Sequence, residues 1–158
     1  LMLSMVLVAL SVRFLQRLDR PVPAVGGPLV ALAWGVFAVG FVVLYLGTIV
    51  TGSGPHAGDA DVARNGLDPA QWSQLHADAV FLLLGLTIGL VVTLLVQRAP
   101  RPAVQAALGL LGIELGQGVI GFVQYFTDLP VLLVGLHLLG AAVLSASVTW
   151  TLLRVRHP

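Results

Sequence analysis

The polar residues of this chain are confined to narrow breaks between long apolar runs. Leu29 to Thr51 is about 23 residues, enough to cross a hydrocarbon core with modest tilt. A second run extends from Trp72 to Val96 and stops at Gln97-Arg98-Ala99-Pro100-Arg101-Pro102. A third covers Ala103 to Phe126 and breaks at Thr127-Asp128-Leu129-Pro130. The fourth, Pro130 to Leu153, closes on Arg154-Val155-Arg156-His157-Pro158. Pro130 suits a first helical turn, where its missing N–H costs nothing. Ahead of these lies a shorter run, Leu1 to Val12, ~18 Å long as a helix against a core of about 30 Å. No basic segment precedes it and arginines follow it, so it reads as the tail of a cut helix rather than a signal peptide, and the chain as a fragment. Pro21, Pro23 and Gly26-Gly27-Pro28 separate it from the first full span. Lipid gives unpaired backbone groups no partner, so each span is helical. The expectation is an all-α integral membrane protein. Residues 1–20 form the tail of a truncated transmembrane helix and a cytoplasmic connector, and residues 21–158 a four-helix transmembrane bundle.

Composition agrees. The chain is 58% hydrophobic and 9% charged, where an ordinary soluble domain is about a quarter charged. Cysteine is absent, which excludes disulfides, thiolate-ligated zinc and protein-held iron–sulfur clusters. A net charge of +1 supplies no basic patch for nucleic acid. Charge also orients the bundle. Counting spans puts Arg13, Arg17, Arg20, Arg98, Arg101, Arg154 and Arg156 on one side, and Asp59, Asp61, Asp68 and Asp128 on the other. Arginine marks the cytoplasmic side. The loop Gly52–Gln71 is then extracytoplasmic and the C-terminus cytoplasmic, in a multi-pass protein of the plasma membrane. Gly109, Gly112, Gly116 and Gly118 in the third span, and Gly140, Ala141, Ala142 and Ser145 in the fourth, let backbones approach where lipid provides no hydrophobic drive for association. A homo-oligomer is compatible with that pattern.

Two histidines carry the candidate chemistry. His76 lies four residues past Trp72, ~6 Å deep, and His137 seven past Pro130, ~10 Å deep. Both enter from the extracytoplasmic side on helices that run parallel to one another. Ala141 and Ser145 leave room beside His137. Such a pair suits a flat macrocycle standing between helices with one imidazole on each iron face. Other readings stay open: either histidine as an interhelical hydrogen bonder, a proton relay, or zinc, which wants a third or fourth ligand and has only Asp78 and Glu114 in the spans. His56 and His157, in a loop and at a terminus, read as solvated. Glu114, Gln117 and Gln124 recur on the third span and are expected to face the bundle interior. Gln117 falls near the depth of the histidines. Arg64, the one basic residue outside, would pair either with a carboxylate of a cofactor or with Asp61 or Asp68. Trp72 and Tyr125 read as interface belt residues.

The loop Val50-Thr-Gly-Ser-Gly-Pro-His-Ala-Gly-Asp59, followed by Gln74-Leu-His76-Ala-Asp78, Leu115-Gly-Gln-Gly118 and Leu136-His137, resembles the C-terminal half of the haem A synthase family. The opening Leu3-Ser-Met-Val-Leu-Val8 resembles that family's fourth helix just beyond its own histidine. The resemblance covers essentially the whole chain, and the loop motif is its most specific part. It implies eight spans in two similar halves, each with a histidine pair, and conversion of haem O to haem A by oxidising a ring methyl to a formyl group for terminal oxidases. It also implies that the substrate haem O and a catalytic glutamate belong to the N-terminal half, and that the C-terminal half holds a haem b on His76 and His137. Haem O synthase and the terminal oxidase are the partners it suggests, beside membrane lipid. The chain departs from the family in lacking the first half and the loop cysteine pair some members carry.

An iron with imidazole on both faces has no open position, whereas catalytic metal sites keep one. A bis-histidine haem here is thus expected to be a structural or electron-relay centre, with the methyl oxidation left to the missing half and this fragment inactive alone. Two other classes remain: a free-standing membrane b-type cytochrome taking electrons from quinol, and a non-catalytic subunit whose histidines bond across helices.

Overall fold

The computed structural model describes residues 1–18, 26–54 and 63–156. Five helices follow one another: α1 (Met2–Gln16), α2 (Gly27–Ser53), α3 (Pro69–Val96), α4 (Arg101–Phe126) and α5 (Val131–Arg156). The protein is all-α, and α2 to α5 are each long and apolar enough to cross a membrane. Helix α1 is apolar and shorter.

The boundaries follow from local chemistry. Helix α3 begins three residues earlier than Trp72 because Asp68 caps it: its Oδ1 accepts the N–H of Ala70 at 2.9 Å, and Pro69 fills the first helical position, where no N–H is needed. Asn65 fastens the approach to that cap. Its side-chain amide donates to the Ile49 carbonyl at 3.0 Å and its N–H to Gly52 O at 3.1 Å, so the end of α2 receives donors for its unpaired carbonyls. At the other end Arg98 is left-handed (φ 51°), and Ala99 N–H reaches back to Leu94 O at 2.9 Å, a turn that ends a helix by satisfying its last carbonyls. The α4–α5 connector repeats the device, with Asp128 and Leu129 at φ 58° and 56° and Leu129 N–H on Gln124 O at 2.9 Å. Helix α1 runs on to Gln16, so Arg13 is helical rather than part of a connector.

Helices α2, α3, α4 and α5 pack in a ring in that order, so that α3 and α5 stand diagonally opposed. Helix α1 lies along α5 and touches α2. Ser145 donates to the Met5 carbonyl at 2.8 Å, so this residue is turned to α1 and is not the open space expected beside His137.

Packing is concentrated at the arginine-bearing end and the middle. Leu29, Ala33 and Val36 of α2, Leu90 and Leu94 of α3, Ala103, Ala107 and Leu110 of α4, and Val148 and Leu152 of α5 are all buried. Alanine on α4 and Gly40 on α2 permit the close approach. A Cβ placed on Gly40 would meet Val148 Cγ1 at 2.9 Å. Thr151 donates to the Ala106 carbonyl at 3.2 Å, and the Arg156 guanidinium lies 5.3 Å over the Trp34 ring, tying α5 to α4 and α2. Beyond this core the pattern changes: no residue of 47–54, 63–82 or 115–143 is buried. At the end from which the histidines descend, the described residues are half-buried or exposed.

Gly40→Ala is therefore expected to destabilise the bundle by about 1–3 kcal/mol, as overpacking does. Gly35→Ala, with open space at its Cβ, should be neutral or slightly stabilising. Thermal unfolding in detergent checks the contrast.

Candidate functional site

His76 sits seven residues past the proline that opens α3, and His137 six past the first residue of α5. Their depths differ by one residue, ~1.5 Å, closer than the position of Trp72 suggested. The two imidazoles come from the diagonally opposed helices and meet across the bundle, with ring centroids 6.5 Å apart and planes at 81°. Both residues are half-buried.

A glycine stands behind each ring. A Cβ on Gly47 of α2 would come within 3.3 Å of His76 Cε1, and one on Gly121 of α4 within 3.4 Å of His137 Cε1. The α2–α3 pair and the α4–α5 pair thus repeat one arrangement, in which the first helix of each pair makes room for the histidine of the second. On α2 the glycine has a further effect. Residue 47 is one hydrogen-bonded turn beyond Val43, and with no side chain there the Val43 carbonyl is open to His76, whose Nδ1 approaches it at 3.1 Å. Paired with that carbonyl, Nδ1 carries the proton and Nε2 is left with its lone pair for a ligand. Nδ1 of His137 is buried with no hydrogen-bond partner among the described residues.

The separation of the two rings is that of two imidazoles on one metal. A metal–imidazole nitrogen bond is about 2 Å, so two such bonds in line on one metal put ring centroids on the order of 6 Å apart, as observed here. The macrocycle supplies the other four donors. Among the described residues no third His, Cys, Asp or Glu joins them, and zinc would want one or two more.

The remaining polar candidates divide. Glu114 is buried and faces the interior as expected, but it serves packing: Thr87 of α3 donates to its Oε1 at 2.8 Å, while Oε2 has no partner among the described residues. Asp78 is exposed and accepts from Gln74 at 2.8 Å, away from the interior. Gln117 is half-buried at the α4–α5 seam, its amide against Gly140, one turn nearer the arginine end than Gly121. It lines a shallow surface groove of about 280 Å³ with Ile120, Leu136 and Val143. Arg64 is exposed in the segment leading to Asp68, at the histidine end. Tyr125 is exposed beside Phe126 and Trp72 half-buried, both at that same end. His56, His157, Asp59, Asp61 and the Pro55–Asp59 part of the loop motif lie outside the described residues.

Three participants escaped sequence reasoning: Gly47, Gly121 and the Val43 carbonyl. Glycine is common in membrane helices, so neither glycine stands out. The one available signal is that each lies in the helix immediately before a histidine-bearing one. Comparison with known protein families, curated proteins and solved structures finds no match.

Thr87→Val removes the donor to the buried Glu114 carboxyl. It should cost about 1–3 kcal/mol, the usual penalty for stranding a buried polar group, read as a fall in thermal unfolding temperature.

Proposed function

We propose that this chain is a bis-histidine haem b module of the membrane: the electron-relay half of a haem-modifying oxidoreductase resembling haem A synthase. The observation that carries it is the pair of imidazoles, His76 and His137, 6.5 Å apart between diagonally opposed helices. When bound, the haem supplies one-electron transfer. His76 and His137 would hold it through their imidazoles, with Gly47 and Gly121 leaving space behind the rings and the Val43 carbonyl fixing the His76 tautomer. With both axial positions taken there is no place for oxygen, which favours relay over oxidation at this centre. Oxidation of a haem O methyl group belongs, on this reading, to a preceding half with its own histidine pair.

The arginines at the end away from the histidines support an orientation with the haem near the extracytoplasmic surface of the plasma membrane and the C-terminus in the cytoplasm. Arg64, at the haem end, is the basic side chain to which a haem carboxylate would turn, whereas Gln117 lines the α4–α5 surface groove against Gly140.

The purified chain should show the reduced-minus-oxidised spectrum of a six-coordinate low-spin b haem. His76→Ala and His137→Ala should each abolish or convert it, and an unchanged spectrum in either removes that residue as a ligand. Gly47→Val and Gly121→Val push branched side chains into the rings and should lower haem content several-fold. Gly118→Val, whose Cβ meets open space, should leave it unchanged, as pyridine haemochrome assay of the three variants would register.

A further inference from the structure

The two imidazoles are alike in position and unlike in support. His76 has its Nδ1 against the Val43 carbonyl at 3.1 Å, so its proton is held away from Nε2 and its ring is fixed in orientation. His137 has no such partner among the described residues, although its Nδ1 is buried. It faces a choice between tautomers. With the proton on Nδ1 it buries an unpaired N–H. With the proton on Nε2 it blocks the nitrogen that a metal would need. Both alternatives weaken it as a donor, whereas a hydrogen-bonded Nδ1–H raises the basicity of a ligating imidazole and locks its ring. The α4 counterpart of Val43 is Gln117, one hydrogen-bonded turn before Gly121, and its carbonyl does not receive the His137 ring.

We infer that the two axial ligands are unequal: His76 is the anchoring ligand and His137 the displaceable one, so that an exogenous ligand enters the iron on the α5 side. This rests on the bis-histidine haem reading above and adds to it the face at which the centre opens.

The experiment compares haem-loaded wild type with His76→Gly and His137→Gly, purified as full chains, by haem content and by optical and electron paramagnetic resonance spectra, with and without added imidazole. His137→Gly is expected to keep most of its haem as a five-coordinate high-spin species, to bind carbon monoxide when reduced, and to return to six-coordinate low spin with imidazole. His76→Gly is expected to lose haem at least ten-fold. His76→Leu and His137→Leu, which keep apolar volume in place of the ring, read the same contrast in haem content if the glycine variants fold poorly. Equal loss from the two sides, or greater loss from the α5 side, overturns the inequality; it would mean that His137 finds an equivalent partner. A wild-type chain that takes up no haem overturns the parent reading and this one with it, whereas a loaded wild type with equal variants overturns this one alone.

Discussion

Four helices packed through small side chains at the arginine-bearing end hold the two histidine-bearing helices diagonally opposed. Here the close half is set by residues without bulk: Gly40 against Val148, and Ala103 and Ala107 on α4. In a bilayer, where water exclusion does not drive helices together, such contacts are the main source of association. The other half contains two imidazoles from opposite helices, and not one residue there is buried. That packed base is the constraint on which the site depends. The base fixes the helix positions, and with them the matched depth of the two histidines.

The polar groups inside the bundle follow the same division. Thr87 and Glu114 face each other at 2.8 Å at the margin of the packed region, and Ser145 and Thr151 spend their hydroxyls on backbone carbonyls of α1 and α4. Each joins two helices. The histidines differ, since among the described residues only His76 has a polar partner. A membrane-buried nitrogen without a partner is expensive, and that sets His137 apart from the structural polar groups below it.

Much of this was legible in the sequence, and the parts that were not have physical causes. The spans were legible because an apolar run longer than a bilayer has few other folds available, and Leu29–Thr51 and Ala103–Phe126 fell within two residues of α2 and α4. The start of α3 was misjudged because Trp72 looked like an interface anchor, while the Asp68-Pro69 pair that begins the helix lay in what read as loop. The histidines were found because imidazole is rare in apolar spans. Their facing one another was expected from matched depth on parallel helices, but that α3 and α5 are diagonal depends on ring order and leaves no trace in any single helix. Ser145 was misassigned for a related reason: without the packing of α1, a small hydroxyl residue below His137 looks like free space. Gly47 and Gly121 were hidden among other glycines, because what distinguishes them is a neighbour distant in sequence.

The central claim is that two imidazoles from opposite helices grip one iron. Near-infrared magnetic circular dichroism of the oxidised, purified chain, combined with its haem content, tests this most directly, because the position of the charge-transfer band reports the identity of both axial ligands. The account expects one haem per chain with the band of a bis-imidazole pair. A band from any other ligand pair, or a folded chain that takes up no haem, would contradict it.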